Sequence, residues 1–121
     1  MRVIVPVTRG REGWELSPLF GRSKLFAILD VEGRGYRLVE VIENPYVLTP
    51  HDQRGLGLAE LMRSRGVEAI ISTHVGPGGF YLFREMGIKI YYVEGRLSLE
   101  EAVRAFLEGR AQEAAGPREH H

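Results

Sequence analysis

The tightest constraint on the fold is a short link, Glu32-Gly33-Arg34-Gly35, between two apolar runs. The runs are residues 24–30 (KLFAILD) and 36–43 (YRLVEVIE), both rich in the aliphatic and aromatic types that suit a pleated surface. A turn this short can join only antiparallel neighbours, because a parallel pair needs a crossover of roughly a dozen residues. Residues 2–7 (RVIVPV) form a further short, β-branched run ahead of them. Pro6 removes one ladder donor and is expected at a strand end or sheet edge. Residues 8–16 (TRGREGWEL) are polar, carry two glycines and read as a loop.

Beyond Asn44-Pro45 the texture changes to alternation of helix and strand. Thr49 and Asp52 resemble a capping box, with Pro50 at the first helical position. Leu58, Leu61 and Met62 recur at helical spacing, and Gly66 stops that helix. Residues 67–72 (VEAIIS) predict a fourth strand, 77–86 a second helix and 88–93 (IKIYYV) a fifth strand. Ser98 with Glu101 is a capping box for a third helix lined by Leu99, Val103 and Phe106 and closed by Gly109. The order is βββαβαβα. A meander followed by parallel crossovers closes most simply as one mixed five-stranded α/β sheet with helices against it. The expected organisation is a domain over residues 1–110 and a flexible tail over 111–121, where small and polar residues fray. His120-His121 is set aside from site reasoning.

Composition removes several functions. Lysine plus arginine and aspartate plus glutamate are each 16, so no broad electrostatic hold on nucleic acid or anionic lipid is expected. No apolar run approaches the roughly 18 residues needed to span a bilayer, and the start of the chain does not read as a signal peptide, so a cytoplasmic protein is expected. Cysteine is absent, which excludes disulfides, thiolate zinc sites, cysteine nucleophiles and thiolate-ligated iron–sulfur clusters. Lys24 and Lys89 are the only lysines, Asn44 the only asparagine, and Gln53 and Gln112 the only glutamines. Scarce amides fit a thermophile; codon bias toward arginine accounts for the cations equally well.

Ligands of open α/β sheets gather beyond the carboxyl ends of parallel strands. Three stretches should reach that rim: 17–23 (SPLFGRS), 51–57 (HDQRGLG) and 73–79 (THVGPGG). In the last, Gly76, Gly78 and Gly79 between a strand and a helix let backbone N–H groups approach an anion, with the helix dipole adding attraction. A tight βα turn with no ligand is the alternative. The spacing matches neither dinucleotide nor phosphate-loop fingerprints. His51 and His74 are the histidines outside the tail, and either can ligate a metal, shuttle a proton or sit solvated in its loop. Arg22 and Arg54 flank loop glycines and can pair with an anion or remain solvated. Trp14 covers either the ligand face or the core edge. Catalysis is poorly supported. Asp30 and Asp52 are the only aspartates, the first strand carries no acid, and no G-x-S-x-G elbow is present.

Ser17-x-x-Phe20-Gly21-Arg22-Ser23 followed by Phe26, Asn44, Gly55-x-Gly57, Gly76-Pro77 and the Ser98 capping box with Phe106 resembles the dinitrogenase iron–molybdenum cofactor biosynthesis family, from about Arg2 to Gly109. The resemblance implies a ribonuclease H-like three-layer fold and a non-catalytic carrier or chaperone of an iron–sulfur or iron–molybdenum cluster, held transiently. It looks like the stand-alone kind common in archaea and thermophiles. It implies a cluster donor or acceptor protein as partner, and the sheet edges leave a homodimer open. Ser17, Phe20, Gly21 and Arg22 match the family's first loop, Gly55 and Gly57 the second, and Gly76 and Pro77 the third. His74, beside the helix start, is the first choice of cluster ligand and His51 the second. Arg54, Gly78 and Gly79 complete the expected contact set. A module that binds a phosphorylated or other anionic metabolite without metal is the alternative function.

Overall fold

Alternation along the apolar strands assigns each residue to a face, and two separate cores result. The computed structural model describes residues 1–119. Its strands are β1 (Arg2–Arg9), β2 (Trp14–Leu16), β3 (Leu25–Glu32), β4 (Gly35–Glu43), β5 (Ala69–Ser72), β6 (Lys89–Tyr92) and β7 (Gln112–Glu113). The helices are α1 (His51–Ser64), α2 (Pro77–Glu85) and α3 (Leu99–Leu107). Ile4, Phe26, Ile28, Ile70 and Ile90 point to one face of the sheet and pack against Leu58 and Met62 of α1 and Phe80 and Phe83 of α2. Val3, Val5, Leu29 and Ile71 point to the other and pack against Leu99, Ala102 and Val103 of α3. The period of two puts neighbours on opposite faces, so the fold is three-layered, with two helices on one face and one on the other.

The sheet runs β4-β3-β1-β5-β6-β7, with β2 paired to β1. β1, β3 and β4 are antiparallel, whereas β1–β5 and β5–β6 are parallel. Among the described residues the sheet thus has seven strands rather than the five expected. Both additions are short. β2 forms because Gly10 and Gly13 turn the chain so that Trp14 pairs with Arg9 and Leu16 with Val7, in a stretch expected to be a loop. Trp14 packs at the edge of the α3-side core under the Arg9 guanidinium, 4.8 Å from its ring centre, and so serves the core edge rather than the ligand face.

β7 forms in the stretch expected as a tail over 111–121. Gln112 and Glu113 pair with Tyr92 and Tyr91, and the Ala114 N–H donates to the Ile90 carbonyl at 2.8 Å. The physical reason is the open edge of β6, whose backbone groups need partners. His120 and His121 lie outside the described residues.

Pro6 lies within β1 rather than at its end. Its carbonyl accepts from the Ser17 N–H, so its nitrogen faces away from β3 and no bond of that ladder is lost. The Thr49–Asp52 capping box does not form. Pro50 itself is the N-cap (φ −52°, ψ 144°) with no side-chain cap bond, which leaves the Thr49 hydroxyl one residue too early. The Ser98–Glu101 box forms in full.

Candidate functional site

The parallel strands end at one rim, and there the starts of α1 and α2 meet. A Cβ on Gly55 would sit 3.2 Å from the Gly78 carbonyl oxygen and 3.4 Å from Gly79 Cα, so a side chain there would push the two backbones apart by a few tenths of an ångström. Around the junction lies a cavity of about 240 Å³. Its floor is apolar, from Phe20, Leu58 and Phe83, and its mouth carries Arg22, His51, Arg54, His74, Gly76, Gly78 and Gly79.

The polar wall is built by α2. Gly76 is its N-cap in extended conformation (φ −71°, ψ 165°), Pro77 follows at the helix start, and no side chain caps the amino terminus. The Gly78 and Gly79 N–H groups therefore lack an intrahelical acceptor, and the dipole makes this end attractive to an anion. The His51 ring lies against Gly78: a Cβ there would be 3.2 Å from Cε1 and 3.3 Å from Nε2.

His74 follows β5 and is half-buried. Its Nδ1 is 3.1 Å from the Pro18 carbonyl oxygen and 2.9 Å from Thr73 Oγ1. A carbonyl can only accept, so in the contact with Pro18 it is Nδ1 that donates, the arrangement by which an outer partner orients a ligating imidazole. Ser72 Oγ donates to the His74 carbonyl at 3.0 Å and accepts from its N–H, fixing the backbone beneath the ring.

The first loop is held by Asn44. Its Nδ2 donates to the carbonyls of Gly21 (3.0 Å) and Ser23 (2.8 Å), and its Oδ1 accepts from the Tyr46 N–H at 2.8 Å. Arg54 performs a similar task for the second loop, donating to the carbonyls of Tyr46 (3.2 Å) and Thr49 (3.1 Å). Arg54 thus contributes charge to the cavity wall while its fork is committed to backbone. Arg22 is exposed at the mouth.

Seven of the eight residues expected at the site share this cavity: Arg22, His51, Arg54, His74, Gly76, Gly78 and Gly79. Ser17 does not. Its N–H donates to the Pro6 carbonyl and its hydroxyl to the Leu19 carbonyl at 3.5 Å. Gly57, matched to the family's second loop, lies under the Tyr46 ring. Arg118 and Glu119 line the cavity and were not anticipated. No local signal marks them, since their position depends on pairing to β6. Among the described residues, no group of three histidines or carboxylates is placed to hold a metal ion.

Residues 1–109 match the sequence profile of the dinitrogenase iron–molybdenum cofactor family. The chain belongs to this family. Its relatives include the uncharacterized protein MJ0580 of Methanocaldococcus jannaschii, 32% identical over 114 residues and covering 93% of this chain and 90% of that protein. The apo orange protein of Desulfovibrio gigas has a similar structure, with a TM-score of 0.81 and 28% identity over 98% of this chain and 96% of that one. Protein TM1290 of Thermotoga superposes with a TM-score of 0.74 at 28% identity, covering 99% and 98% of the two chains. The matched residues include those that line the cavity of imidazole, amide and guanidinium groups, a donor set suited to an anion. In this family member no helix among the described residues is long and apolar enough to cross a membrane.

Proposed function

We propose that this chain is a non-catalytic binding protein that accepts an anionic iron–sulfur or iron–molybdenum cluster as cargo and passes it to a partner protein. The observation that carries this reading is the uncapped start of α2, with the Gly78 and Gly79 amides, in the same cavity as His51, His74 and two arginines. The amides and arginines oppose the cluster's negative charge, and the oriented His74 ring supplies one ligand nitrogen. Without a thiolate the hold is weaker than in a permanent electron-transfer site, which suits hand-over.

Anaerobic titration with a preformed cluster, followed by absorbance and iron analysis, tests the proposal. Parent protein should retain iron after desalting, and His74→Ala should retain markedly less. Equal iron in both, or none in either, would remove the case. A metal-free anion is the second reading, favoured because the polar wall is made of N–H donors that suit a phosphoryl group equally. A phosphorylated metabolite at about 100 times its dissociation constant would then add roughly 2.7 kcal/mol of apparent stability.

A further inference from the structure

The segment after α3 is anchored along β6 and ends in the cavity wall. Beyond β7, the Tyr92 hydroxyl donates to the Gly116 carbonyl at 2.9 Å. The Arg118 N–H donates to the Val75 carbonyl at 2.8 Å, beside the start of α2. The Arg118 guanidinium lies 4.3 Å from the Tyr92 ring centre and pairs with Glu94 at 2.8 Å. These bonds bring Arg118 and Glu119 to the cavity.

Two features make this wall unlike the others. No side chain of residues 111–119 is fully buried, so lifting the segment forfeits little apolar burial, the mark of a unit that opens locally. Its charge is also of the wrong sign for a guest. Glu94 offsets the charge of Arg118, and Glu119 is the one carboxylate among the described residues that line the cavity. Beside Arg22 and Arg54, a carboxylate opposes the anion that the amides attract.

We propose that residues 116–119 are a movable, self-inhibitory wall: closed, they set Glu119 against an incoming anion; lifted, they open the cavity and remove that charge. The inhibition of binding rests on the anionic-cargo reading, whereas the motion does not. Glu94 is the latch, because it holds Arg118 from outside the cavity.

The test uses the full chain with Glu94→Gln, and separately Glu119→Gln. Motion is read by amide hydrogen exchange at Arg118 and Ala114, and access by the rate at which diethyl pyrocarbonate modifies His74 relative to exposed His51. Binding is read by the association rate of a thiolate-capped [4Fe–4S] dianion, with inorganic phosphate as a second anion. Glu94→Gln should raise Arg118 exchange and His74 modification about two- to fivefold, the factor expected from an exposed ion pair, and speed association, leaving exchange at Ile28 unchanged. Glu119→Gln should speed association without altering exchange. Unprotected Arg118 exchange in the parent, or faster exchange with unchanged His74 modification, would overturn the wall; slower association with Glu119→Gln would overturn its inhibitory charge. If exchange and modification both rise while neither anion binds either protein, the movable wall is supported and the anionic-cargo reading is what fails.

Discussion

α2 and α3 each follow a parallel strand, and they begin in opposite ways. α3 opens with a reciprocal box: Ser98 Oγ accepts from the Glu101 N–H at 3.0 Å, and Glu101 Oε1 accepts from the Ser98 N–H at 2.9 Å. α2 opens on Gly76-Pro77-Gly78-Gly79 with no side-chain cap. The capped start satisfies its own backbone donors. The uncapped start gives up that stabilisation at the one place where its donors face a cavity, which is the arrangement a bound anion requires.

The largest effect expected from breaking this contrast is at Gly79. A Cβ there would lie 2.7 Å from the buried Phe83 ring, itself packed on Phe20. Gly79→Ala should therefore destabilise the protein by about 2 kcal/mol through overpacking, despite the gain in helix propensity; a shift in urea midpoint measures it. Next is Gly76→Asp, which writes a cap onto α2 where a Cβ meets nothing within 4 Å. The new carboxylate should occupy the α2 amides, weaken retention of an anionic guest about tenfold as one charge-assisted hydrogen bond is lost, and raise stability by a few tenths of a kcal/mol. Unchanged retention would show that those amides are not used.

Ser98→Ala is the complementary experiment. It should cost about 1 kcal/mol of stability and leave guest retention at the parental value, by thermal melt and iron analysis together. The smallest effect lies at the opposite end of the sheet. Hydrogen bonding from Arg2, against partial desolvation and helped by Arg37, holds the Asp30 carboxyl down at about 2. Its folded value is depressed, so its contribution is complete above the unfolded carboxylate value of about 4 and is lost as pH falls through about 2. Unfolding midpoints across this window should show a step that Arg2→Ala diminishes, with Arg37 keeping the remainder.

How much was legible follows from the range of the interactions. Strand faces, the α3 cap and the glycine stops at Gly66 and Gly109, both at positive φ, depend on residues within a few positions of one another. β2 was hidden because three residues, Trp14–Leu16, show too little alternation to stand out from a polar loop. The pairing of the tail was hidden because the partners of Gln112 and Arg118 are Tyr92, Val75 and Glu94, which no local pattern links to them. In the site, His74 and the α2 glycines could be placed on the rim from topology. That Arg54 is committed to loop carbonyls, and that Ser17 stays out of the cavity lining, could not.

By itself the chain's residue order determined the alternation of elements, the two apolar faces, the absence of thiolate chemistry and a glycine-rich helix start, because each is a matter of local spacing or of composition. Tertiary structure alone decided which donors share the cavity and that the C-terminal segment supplies one of its walls. Those depend on strand order and edge pairing, in which residues far apart in the chain compete for the same backbone partners.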